Sequence, residues 1–189
     1  SEINWGFIRL ISKGGKYMTT SSKISGWFYD YNEDIYHFLL YYVGSGDIED
    51  LVQEVFIRAI KGLDTYKGES SPKTWLLAIA RNVGIDEIRK RKRDHLKKEV
   101  AIANYESKDE KTPDVFLYLD ESKQHLYRVI NSLKVSYKDV IILRAIKELT
   151  VSETATVLNW SENKVRITYP RALKALERKK EEFQDEKER

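Results

Sequence analysis

At 189 residues the chain has room for one domain or two small ones. It contains no cysteine, which excludes disulfides, thiolate metal sites and thiol nucleophiles, and its apolar runs fall far short of a membrane span. The net charge of +3 conceals a polarity: residues 30–57 carry seven acids and no Lys or Arg, residues 58–93 ten bases against four acids, and residues 126–180 twelve bases against five acids. Two basic segments flanking an acidic one read as two separate polyanion contacts. Only three prolines and nine glycines interrupt a chain rich in Leu, Ile, Lys and Glu, so the expected fold is all-α.

Residues 1–17 are expected to be non-native or disordered: Ser1 is not a natural start and Met18 is the only methionine. Lys13-Gly14-Gly15-Lys16 before Met18 can be encoded by a purine-rich run of the kind that precedes a start codon. From Trp27 to Val43, apolar residues recur at three and four (Phe28, Tyr31, Ile35, Phe38, Leu39, Tyr42), predicting a helix with one apolar face. Gly44-Ser45-Gly46 breaks it. Asp47 then serves as N-cap of an acidic helix through Leu51, Val55 and Ala59 to about Leu63. Lys67 to Ser70 is a turn. Ser71 and Pro72 open the next helix, because Pro at the first helical position loses no hydrogen bond. That helix runs to about Arg93, with Trp75, Leu76, Ile79, Val83 and Ile88 mostly in the core and Gly84 costing about 1 kcal/mol relative to Ala.

Residues 95–112 lack a clean period and read as a linker. A helix is predicted to start at Thr112-Pro113, with periodicity through Leu126, Val129, Ile130 and Leu133; Ser136 is expected to cap a further helix from Tyr137 to Ile146. Thr150 with Glu153 three residues on is a capping box. Ala155 is small where two helices must approach, Asn159 tolerates a left-handed turn, and Ser161 caps a following helix with Val165 turned inward. Together these form a helix-turn-helix signature with Ser161 to Ala172 as recognition helix. Pro170 is expected to kink that helix or end it early, and the charged tail from Glu181 to fray.

The words GDIEDLVQEVFIRA, Gly68-Glu69-Ser70-Ser71, Lys73-Thr74-Trp75-Leu76 and Ile79-Ala80-Arg81-Asn82, followed by Ile85-Asp86 and the basic run RKRKR, resemble region 2 of the extracytoplasmic-function sigma factors of bacterial RNA polymerase. The helix-turn-helix block resembles region 4 of the same family. The resemblance spans roughly residues 27–180. It implies two small helical domains joined by a flexible linker: residues 18–94 as a region 2 domain and residues 113–180 as a region 4 domain.

The resemblance also implies a division of labour. Asp50, Leu51, Gln53, Glu54 and Phe56 would dock on the clamp helices of core polymerase, exposed carboxylates beside apolar anchors suiting an arginine-rich partner. The helix around Val140 and Leu143 would dock on the polymerase flap. Lys67, Gly68, Glu69 and Ser70 would pocket a flipped base of the −10 element, and Arg81, Asn82, Asp86, Arg89 and Lys90 would follow the single strand. Asn163, Lys164, Arg166, Ile167, Thr168 and Arg171 would read the −35 element as duplex. Relatives usually carry an aromatic where Pro72 stands. An anti-sigma factor is a common partner in the resembling family, which works in the cytoplasm without membrane insertion.

Composition and spacing add no catalytic group, cofactor site or metal site: there is no Gly-rich phosphate loop, and His37, His95 and His125 are scattered. A metal-dependent nucleic-acid enzyme built on the carboxylates around Asp47 is a weaker reading. The other alternative is a helix-turn-helix regulator that binds duplex DNA without acting as a sigma factor. It leaves the Gly-Glu-Ser-Ser turn and the basic run unexplained.

Overall fold

The structure, a computed structural model, describes residues 18–44, 46–101 and 121–187. Among them every regular element is helical. The front half contains α1 (Met18–Val43), α2 (Ile48–Gly62) with a 3-10 turn at Leu63–Thr65, and α3 (Pro72–Ala101). The rear half contains α4 (Glu121–Ser132), α5 (Val135–Ile141) running into a π turn at Ile142–Ile146, α6 (Val151–Leu158) and α7 (Glu162–Lys187). The expected extension at residues 1–17, the helix start at Thr112-Pro113 and most of the expected linker lie outside the described residues.

The front domain closes because its three helices each offer one apolar stripe. Ile35, Phe38 and Leu39 of α1, Val55, Phe56 and Ala59 of α2, and Leu76, Leu77 and Ala80 of α3 are fully buried together. Asp47 caps α2 as expected, its carboxylate accepting from the Asp50 amide at 3.1 Å. Ser71 caps α3, its Oγ accepting from the Thr74 amide at 3.1 Å, with Pro72 first in the helix. Ile88, placed in the core by periodicity, is instead 39% exposed. Gly84 has a packing role that propensity does not show: a Cβ there would stand 2.7 Å from Cδ1 of Tyr42, so α1 and α3 approach more closely than Ala allows.

The rear domain is punctuated by caps. Thr150 and Glu153 form the reciprocal capping box, Asn159 adopts the left-handed conformation at φ 52°, and Ser161 accepts from the Lys164 amide at 3.2 Å. Three expectations are corrected. Lys134, not Ser136, occupies the N-cap of α5, without a side-chain cap bond. The front helix does not stop near Arg93 but continues to Ala101. And α7 does not end at Pro170; it runs to Lys187. Pro170 is exposed, so its ring stands in solvent, and the interruption costs one backbone hydrogen bond rather than the helix.

Candidate polymerase and nucleic-acid interfaces

The acidic face of α2 is built from its first turns. Asp50 is exposed, Gln53 and Glu54 half-exposed, and Leu51 packs partly against the core. Phe56, expected beside them as a surface anchor, is fully buried and meets Phe28 edge to face at 4.9 Å. It supports the helix from within. Glu54 accepts from Arg58 at 2.7 Å, and Arg58 also reaches Asp86 of α3 at 3.0 Å. These pairs are about half exposed and contribute little to stability; their effect is to fix the side chains on two neighbouring faces.

The turn between the 3-10 segment and α3 exposes Lys67, Gly68 and Glu69, with Ser70 half-buried. Gly68 sits at φ 75°, a conformation that favours glycine. An aromatic brace holds this turn. The Tyr66 hydroxyl donates to the Ser70 carbonyl at 2.5 Å. Its ring lies 5.2 Å from Trp27 and 5.0 Å from Trp75, and the Lys23 ammonium stands 5.2 Å over the Trp27 ring. Sequence reasoning missed Tyr66 and Lys23; the signal was an aromatic directly before a Lys-Gly turn. Beyond the turn, Asn82, Asp86, Arg89 and Lys90 are exposed at helical spacing on α3.

Arg81 does not join that exposed stripe. Its guanidinium makes two bonds to Asp139 of α5, at 3.0 and 2.7 Å, and the carboxylate also accepts from the Tyr42 hydroxyl at 2.8 Å. Lys138, next in sequence, is buried and donates to the Tyr42 carbonyl and to Asn131. Burial pushes its ammonium down to about 8, against the pull of Asp139. Val140 and Leu143, expected to meet the polymerase flap, are both fully buried.

On α7 the inward positions are Val165 and Ala172, both fully buried. Asn163, Lys164, Arg166, Ile167 and Arg171 are exposed, and Thr168 half-buried. Lys164 stands 4.0 Å over the Trp160 ring and Arg166 bonds Glu162 at 2.7 Å, so two of the bases are poised outward by neighbours on the same surface. Elsewhere, no group of three His, Asp or Glu among the described residues is placed to hold a metal ion. No helix among them is long and apolar enough to cross a membrane.

Sigma-70 region 2 matches residues 27–94 and Sigma-70 region 4 matches residues 123–176. The chain is 37% identical over 161 residues to the ECF RNA polymerase sigma factor SigX of Bacillus subtilis, covering 82% of each chain. The chain belongs to the ECF family of RNA polymerase sigma factors. It is 32% identical over 145 residues to the ECF RNA polymerase sigma-E factor of Escherichia coli K12, covering 73% of this chain and 76% of that one. Among solved structures it resembles the sigma factor RpoE of Bartonella quintana, in complex with the anti-sigma factor NepR, at TM-score 0.66 and 21% identity over 83% of this chain and 96% of that one. It also resembles CnrH, in complex with the cytosolic domain of CnrY, at TM-score 0.57 and 18% identity over 90% and 92%. At those identities the two structures speak to the fold alone, which is all-α and two-domained as the sequence implied. The family places the chain among promoter-recognising sigma subunits, and the regulator reading is not favoured.

Proposed function

We propose that this sigma subunit divides its work between residues 18–94 and residues 113–180. The front domain binds core polymerase through Asp50, Leu51, Gln53 and Glu54, and captures the −10 strand through Lys67, Gly68, Glu69 and Ser70, then Arg81, Asn82, Asp86, Arg89 and Lys90. The rear domain reads −35 duplex through Asn163, Lys164, Arg166, Ile167, Thr168 and Arg171. Phosphodiester chemistry stays with the polymerase, and the chain works in the cytoplasm. An anti-sigma factor is a further partner, as for the sigma factor RpoE of Bartonella quintana.

The observation that carries this reading is the exposed, braced turn at Lys67–Ser70, standing at the head of a helix whose exposed stripe is polar and basic. A protein that only reads duplex DNA has no use for it. Phosphate contacts along an exposed basic stripe suit an opened strand. Run-off transcription tests the reading: the purified chain, added to sigma-free bacterial core polymerase on fragmented genomic DNA, is expected to create discrete new start sites that share −35 and −10 sequences. Intact duplex binding without new starts would refute it.

The brace gives a finer prediction. Tyr66→Phe keeps the ring between Trp27 and Trp75 but removes the hydroxyl that ties Ser70. A typical hydrogen bond contributes about 1 kcal/mol, so capture of single-stranded −10 DNA is expected to fall about fivefold, with −35 duplex binding unchanged. Equal capture by both proteins would show that the hydroxyl does not shape the turn.

A further inference from the structure

The brace under the Lys67–Ser70 turn also carries a charge. Lys23 is exposed on α1. Its ammonium lies 5.2 Å from the ring centre of Trp27, one helical turn on, and 5.7 Å from that of Tyr66, the residue just before the turn. Other cations of the front domain are paired with carboxylates: Lys73 with Asp34 at 2.7 Å, and Arg58 with Glu54 and Asp86. Among the described residues Lys23 meets rings instead. The next acid along the chain is Asp30, seven residues on, which is about 10 Å further along a helix.

That difference has a chemical consequence. An ion pair cancels a lysine's charge, whereas a ring face orients the ammonium and leaves its charge in place. An ammonium has three donors, so it can rest against a ring and still reach an anion from solvent. The rings themselves are fixed. Trp27 is 8% exposed and meets Trp75 of α3 at 5.9 Å, and the Tyr66 hydroxyl is tied to the Ser70 carbonyl. Lys23 is thus held on the same frame as the turn assigned to the flipped base, and an anion it binds is placed relative to that base.

The frame has a direction. The chain leaves α3 at its C-terminal end for the rear domain, which is assigned to the −35 element, upstream of −10. A strand lying along the exposed stripe from Lys90 to Asn82 therefore runs downstream toward the turn. Lys23 belongs to α1 and reaches the rings of α1 and of the segment leading into the turn, so it extends the path past the turn, on the downstream side.

We propose that Lys23 is a further strand-binding residue, whose ammonium takes the backbone phosphate on the downstream side of the flipped base, with the faces of Trp27 and Tyr66 as its seat. The inference rests on the assignment of Lys67 to Ser70 to that base. A phosphate contact at this place reads no sequence; it fixes the register of the strand in the turn.

The test uses the full chain and a fluorescent single-stranded oligonucleotide carrying the −10 sequence shared by the run-off start sites. The unaltered protein is expected to bind it more tightly than a scrambled strand; equal binding refutes the −10 reading itself, and the inference with it. Lys23→Gln is expected to bind about fivefold more weakly at low salt. Its slope of log affinity against log salt is expected to be shallower by about 0.7, the share of one phosphate on a single strand. Lys23→Arg is expected to keep both values. Neutral methylphosphonate linkages, one per oligonucleotide, then locate the contact. One linkage is expected to weaken binding by the unaltered protein but not by Lys23→Gln, and to lie 3′ of the linkage that behaves so for Arg89→Gln. Weaker binding by a helical Lys23→Gln with an unchanged salt slope would reduce Lys23 to a support of the turn and overturn the proposal. So would the lack of any linkage coupled to Lys23, or one that lies 5′ of the Arg89 linkage. A loss of affinity for core polymerase with strand capture intact gives Lys23 to a protein partner and equally overturns it.

Discussion

Replacing Asp50 and Glu54 by alanine together is expected to weaken binding to core polymerase by about a hundredfold or more, while leaving the fold and single-strand capture near normal. The two carboxylates stand four residues apart, on one face of α2, flanking the partly exposed Leu51. Carboxylates that meet arginines in a desolvated interface centre are each worth about 2 kcal/mol or more on truncation, and two together exceed two decades of affinity. The fold has little at stake. Alanine is the best helix former, the Asp47 cap remains in place, and losing one first-turn acid costs about 0.3–1 kcal/mol in the helix dipole. Arg58 loses Glu54 but retains Asp86, so α2 and α3 stay tied. Competition against a reference sigma factor for core polymerase measures the effect, with strand capture by the same variant as control. A variant that keeps its core affinity but loses promoter discrimination would move these residues to the DNA face.

Much of this was legible from sequence because it is local. An N-cap such as Asp47, the Thr150–Glu153 box and the left-handed Asn159 are each decided by a few neighbouring residues, and each stands where the pattern put it. On the recognition helix Val165 goes in where the pattern put it, and Arg166 and Ile167, which the family resemblance named, stand out. What was not legible depends on the meeting of distant segments. Residue spacing on α3 puts Arg81 beside Asn82 as a free base, and only the tertiary structure brings Asp139 to it across 58 positions. Val140 and Leu143, which the family resemblance assigned to the flap, are packed in the core by the same kind of distant contact. Phe56 was ambiguous for a simpler reason: an aromatic on an amphipathic helix serves either face, and periodicity fixes the face only to within a residue. The early end that Pro170 suggested does not occur, because propensity counts its cost without the packing that holds both flanking turns, among them buried Val165 and Ala172.

Gly84 shows the same conflict between local preference and tertiary contact, and it yields a prediction whose sign separates them. By helix propensity, Gly84→Ala should stabilise α3 by about 1 kcal/mol. By packing it should do the opposite, since the new Cβ would stand 2.7 Å from Cδ1 of Tyr42, closer than real Cβ atoms come, and 3.4 Å from Cγ2 of Val43. Relief depends on whether Tyr42 can yield. Its ring is 1% exposed, stacked on Phe38 at 5.3 Å, and its hydroxyl is held by Asp139, so a shift that clears the Cβ disturbs two contacts at once. Overpacking of this kind costs about 1–3 kcal/mol. Packing therefore outweighs propensity, and Gly84→Ala is expected to lower the melting temperature by several degrees, with Gly84→Val larger still. A double-mutant cycle isolates the cause. In a Tyr42→Ala background the obstructing ring is gone, and Gly84→Ala is expected to stabilise rather than destabilise, recovering the propensity term. Thermal unfolding followed by circular dichroism reads all four proteins. If Gly84→Ala already raises the melting temperature with Tyr42 present, the ring yields freely, and the close approach of α1 and α3 is no constraint on the cluster that holds Asp139.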